Sequence, residues 1–107
     1  MKIKIEGFSK CLDIESIADI NKQFEYEDNN PRGERDSPLV SCGQTKGYNE
    51  LQHIYDTKLS KYIDEQKITK KEALQALCMT CRELDNPRTR DKFYRALERK
   101  LGITIDD

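Results

Sequence analysis

Residues 69–84, TKKEALQALCMTCREL, constrain this chain more than any other segment, because they carry two signals that compete. A C-x-x-C pair, Cys78 and Cys81, belongs in a loop or tight turn when it binds zinc or exchanges thiols. Thr69 followed by Glu72 is instead a capping box, with Thr69 as N-cap and Ile68 placed to staple onto Ala73. The helix that starts there carries Leu74, Leu77, Cys78, Cys81 and Leu84 within an arc of about 120°. Cysteine is among the most often buried residue types and packs as a small apolar side chain. The helical frame therefore predicts that both cysteines are core.

Two further helices flank this one. Leu51, Ile54, Tyr55, Leu59, Tyr62 and Ile63 span an arc of about 180°, which predicts a helix touching two neighbours. Lys58 falls inside that arc and must lay its stem along the core edge. Gln66-Lys67-Ile68 is the break. Asp85-Asn86-Pro87 ends the second helix and starts the third, with Pro87 suited to a first helical position. The third helix packs Phe93, Leu97 and Leu101 and stops at Gly102. Two short connections among three helices predict antiparallel neighbours, hence a three-helix unit over residues 48–102.

Upstream, Ile14, Ile17, Ala18 and Phe24 fall at helical spacing and predict one N-terminal helix. Lys2-Ile3-Lys4-Ile5-Glu6 alternates as a short strand, and Ile103-Thr104-Ile105 is a tail that can pair with it. Residues 25–47 hold two of the three prolines and three of the five glycines. They read as a polar, mobile loop with Pro38-Leu39-Val40 as a small anchor. The expected fold is mainly α: a small helical bundle in a single domain, 1–107, with a minimal β pair from the two termini. With 36% hydrophobic and 36% charged residues, the chain can build one modest core and not two.

The N-terminal MKIKIEGFSK has no apolar run, and no segment approaches the roughly 20 apolar residues of a membrane span. Four cysteines in that context predict free thiols in a reducing cytoplasm. A zinc-stabilised domain is the alternative, drawing on Cys78, Cys81, Cys42 and Cys11 or His53, although the separations match no common zinc module. His53 is predicted to face solvent. No Ser-His-Asp order, phosphate-binding Gly-rich loop or H-E-x-x-H pair occurs. The carboxylate pairs Glu25 with Glu27 and Asp28, Asp64 with Glu65, and Asp106 with Asp107 sit where nothing would raise a pKa. The expectation is a protein that is not an enzyme, with no cofactor, no bound metal and no small-molecule substrate.

The remaining asymmetry is charge. Residues 82–100 carry seven basic and four acidic side chains within a chain of net charge −1. Arg88, Lys92, Arg95 and Arg99 recur at helical spacing within about 60°, opposite Phe93, Leu97 and Leu101. Met79 and Tyr94 are predicted to form an exposed adaptable patch beside them. The plain reading of the stripe is a solvated charged face; the functional reading is a small cytoplasmic binding or regulatory protein that engages a protein partner through its last helix. Such compact charged chains have the general character of accessory proteins of phages and mobile elements. The alternative is a helix-turn-helix-like module with the stripe on nucleic-acid phosphates, which Asp91 and Glu98 weaken by partly neutralising it.

Overall fold

The computed structural model describes residues 11–24, 39–40, 42–43, 49–84 and 88–105. Within them the protein is mainly α. Helix α1 (Ile17–Asn21) begins at Ser16, whose hydroxyl accepts from the Asp19 amide at 3.2 Å. Its apolar residues Ile17 and Ile20 are buried, as is Ile14 just before it. The strand expected at residues 2–6 lies outside the described residues.

Helix α2 (Glu50–Ile54), a π-helical turn (Tyr55–Leu59) and α3 (Ser60–Asp64) follow one another without a break. Asn49 caps the start by accepting from the Gln52 amide at 3.1 Å. The π turn closes when the Ser60 amide bonds the Tyr55 carbonyl, five residues back. One extra residue in that turn rotates everything downstream relative to an ideal wheel. This is the physical source of the unusually broad apolar arc. Lys58, on the turn, puts its ammonium 5.9 Å from the centre of the Tyr94 ring.

Gln66, at φ 60°, ends this segment, and Ile68 is buried. Helix α4 (Lys70–Glu83) then starts with both bonds of the capping box: the Thr69 hydroxyl accepts from the Glu72 amide at 3.0 Å, and the Thr69 amide donates to the Glu72 carboxylate at 2.8 Å. Helix α4 packs against α1, the π turn and α5. Being enclosed on several sides, it buries Ala73, Leu74, Ala76, Leu77, Cys78, Met79, Thr80 and Cys81. Thr80 satisfies its hydroxyl by donating to the Ala76 carbonyl at 2.7 Å.

Helix α5 (Arg90–Leu101) starts after Thr89, whose hydroxyl accepts from the Lys92 amide at 3.3 Å. The start expected at Pro87 falls outside the described residues, and the helix begins later because Arg88–Thr89 is a strand, β2. β2 pairs antiparallel with β1 (Leu39–Val40) in the register Leu39↔Thr89 and Val40↔Arg88. The β pair expected from the termini involves residues outside those described; the pair that is described joins the long connection to the start of α5. Val40 is fully buried, so part of the segment 25–47 is an anchored element; residues 25–38, 41 and 44–47 lie outside the described residues. Gly102 ends α5 at φ 66°, a left-handed position that glycine occupies without steric cost.

Candidate functional site

The four cysteines converge on α4. Cys78 is bonded to Cys11 and Cys81 to Cys42, with Cα separations of 5.9 and 6.3 Å. All four are buried. The helix reading of residues 69–84 holds, and so does burial of the C-x-x-C pair. The expectation of free thiols does not, because each cysteine of the helix has a partner from the first half of the chain. Cys78 and Cys81 are one helical turn apart, so two connections land side by side on one surface of α4.

Around this double staple sits a polar shell. Asn21, at the end of α1, is buried and accepts from the Gly43 amide at 2.8 Å while donating to the Asn49 side chain at 3.3 Å. It thereby joins the residue after Cys42 to the cap of α2. Gln23 accepts from the Arg82 guanidinium, and its side-chain oxygen lies 3.7 Å from Cys78 Sγ. Arg82 also stacks 5.2 Å from the centre of the Phe24 ring.

The basic stripe is rearranged. Arg88 lies in β2 and so is not on the helix with the others. Arg95 is half-buried and held by Glu98 at 3.0 Å and Asp91 at 3.7 Å. It also donates to the Ile105 carbonyl at 3.0 Å, while Glu98 accepts from the Ile105 amide at 2.6 Å. Tyr62 adds a third clip, its hydroxyl donating to the Thr104 carbonyl at 2.6 Å. The middle of the stripe is therefore engaged in fastening the C-terminal tail. Lys92 and Arg99 are exposed.

Met79 and Tyr94, expected as an exposed patch, are 3% and 2% exposed. Met79 is covered because α4 is enclosed beyond the face that a single-sided wheel assigns to the core. Tyr94 closes over the junction of α2 and α5: its hydroxyl accepts from Arg90 at 3.1 Å. Arg90 in turn pairs with Glu50 at 3.2 Å, and Glu50 is fully buried. Sequence reading missed Glu50 and Arg90. His53 is half-buried where exposure was expected.

Asp64 and Glu65 are exposed, and the other carboxylate pairs lie outside the described residues. The Tyr55 hydroxyl titrates above its ordinary value, through burial first and the Asp56 and Asp64 carboxylates second. Comparison with protein-family models, curated proteins and solved structures gives no match. Among the described residues, no helix is long and apolar enough to cross a membrane.

Proposed function

We propose that this chain is a small non-enzymatic binding protein whose partner is another protein, engaged through the outer face of α5. The observation that carries the reading is the pair Lys92 and Arg99, both exposed on a helix whose opposite side, Phe93, Ala96, Leu97 and Leu101, is buried. Seven residues apart, they stand about 10 Å apart along the helix axis. The helix below them is fixed at both ends, by the Thr89 cap and the tail clip, so the two cations are presented on a rigid support. The complementary surface is acidic.

The nucleic-acid reading is weaker on the same residues. A phosphate-binding stripe needs several uncompensated cations in line, and Arg95, its centre, sits between two carboxylates. The compartment is also part of the proposal. Disulfides persist where thiols are kept oxidised, so the bonded form is assigned to an oxidising compartment in place of the cytoplasm expected from free thiols.

The test is capture of partners by the full chain, followed by identification and direct binding of the purified partner. The double variant Lys92→Glu with Arg99→Glu should weaken that binding more than about tenfold, as charge reversal across an interface does, and should retain full helical content. Unchanged binding by the double variant sinks the α5 reading. A salt-sensitive shift of random duplex DNA that the same variant abolishes would put nucleic acid in its place.

A further inference from the structure

We propose that the surface formed by Tyr62 of α3 with Arg95 and Glu98 of α5 is a peptide-binding groove, and that residues 103–105 are its internal occupant. The ligand it takes from outside is a partner's extended segment, of the pattern apolar-x-apolar followed by acidic residues. The groove stands on its own contacts; the acidic part of the ligand rests on the α5 reading.

The tail is held as a bound peptide is held. Gly102 ends α5 at φ 66°, and residues 103–105 belong to neither helix nor strand. Ile103 is half-buried, Thr104 exposed and Ile105 buried, which is the alternation of an extended segment with one face inward. Three side chains bond its peptide groups. The Tyr62 hydroxyl donates to the Thr104 carbonyl at 2.6 Å, Arg95 donates to the Ile105 carbonyl at 3.0 Å, and Glu98 accepts from the Ile105 amide at 2.6 Å. Such bonds are indifferent to the side chains of the occupant, whereas the site that buries Ile105 selects an apolar one. Main-chain bonds for affinity and pockets for alternate side chains are how extended peptides are recognised.

Charge supplies the second half of the ligand. Arg95 stands between Lys92 and Arg99, roughly 5 and 6 Å from them along the helix axis. Both flanking cations are exposed. On the Tyr62 side, the Lys61 ammonium lies 5.1 Å from the centre of the Tyr62 ring. An occupant that carries carboxylates beside its apolar pair meets these cations. The chain's own sequence from residue 103, Ile-Thr-Ile-Asp-Asp, has that composition. A docked partner presents such a segment at high local concentration, which lets it replace a tail held by a few contacts.

The probe is a fluorescent peptide copying residues 102–107, Gly-Ile-Thr-Ile-Asp-Asp, titrated into the full chain. Ile105→Ala in the chain loosens the internal competitor. That variant should bind the probe more than about tenfold more tightly than the parent does, because only chains with an open groove bind. Adding Tyr62→Phe should then weaken the probe about fivefold, the worth of one hydrogen bond. If Ile105→Ala lowers helical content, the parent decides: saturating probe should raise amide exchange at Ile105, whose N–H loses Glu98. Probe affinity unmoved by Ile105→Ala at full helical content, indifference to Tyr62→Phe, or unchanged exchange at Ile105 overturns the groove. Lys92→Glu with Arg99→Glu, added to Ile105→Ala, should also weaken the probe. Unchanged affinity there, with the other responses as expected, overturns the acidic half of the ligand and the α5 reading with it, and leaves the groove standing.

Discussion

Arg95 donates to the carbonyl of Ile105 at 3.0 Å, so the residue at the centre of the basic stripe holds the end of the chain against the helix that bears it. Glu98, one turn on, takes the amide of the same residue. With the Tyr62 hydroxyl on the Thr104 carbonyl and the Ile105 side chain buried, the tail is fixed by three polar contacts and one apolar contact. Arg95→Ala should cost about 1 kcal/mol, in keeping with a partly exposed charged hydrogen bond. It should also raise amide exchange at residues 103–105 selectively. Equal exchange there in both proteins would show that the clip contributes nothing.

Glu50 and Arg90 join the start of α2 to the start of α5. Glu50 is fully buried and Arg90 nearly so, so removing either one takes away a counter-charge in a desolvated place. Arg90→Met should cost about 3 kcal/mol in chemical unfolding, whereas Arg90→Met combined with Glu50→Gln should recover much of that loss. A double variant as unstable as the sum of the two singles would contradict this.

What the sequence made legible was local. Thr69, Glu72 and Gly102 declare helix ends through chemistry that operates within four residues, and all three act as expected. Phe93, Leu97 and Leu101 declare a buried face. What stayed hidden depends on residues far apart in the chain. Glu50 and Arg90 look like ordinary surface charges until the fold brings them together. Four cysteines allow three pairings, and nothing in their spacing selects Cys11–Cys78 with Cys42–Cys81. Met79 was misplaced because a helical wheel assumes one buried side, and α4 is covered on more than one. Arg88 left the stripe because pairing with Val40 holds it extended.

Each disulfide closes a long stretch of chain, 67 and 39 residues in sequence separation. In the chain-entropy view either one alone is worth about 4 kcal/mol. Since the two loops overlap, losing both costs less than the sum. Cys11→Ser with Cys78→Ser, and Cys42→Ser with Cys81→Ser, should each lower stability by an amount of that order in denaturant titrations. Variants within about 0.5 kcal/mol of the parent would show the bonds to be dispensable.

Tyr55 gives the protein an alkaline limit. Its hydroxyl titrates above the ordinary 10.0 because burial, then Asp56 and Asp64, disfavour the phenolate. The unfolded chain releases this proton near pH 10.0 while the native protein retains it, so this contribution is complete below that pH and is lost as pH rises through the native value. Tyr55→Phe should therefore show a shallower fall in stability above pH 10.0 than the parent. Parallel curves would contradict the assignment.

The pairing of the cysteines is the most direct test of how this fold is held. Trypsin alone leaves Cys78 and Cys81 on one peptide, 72–82, but cyanogen bromide cuts after Met79 and separates them. Digestion of unreduced, alkylated protein with both reagents, read by mass spectrometry, should give peptide 11–22 linked to 72–79 and peptide 36–46 linked to 80–82. Linkage of 11–22 to 80–82, linkage of 11–22 to 36–46, or alkylation of all four cysteines without reduction would contradict the double staple on α4.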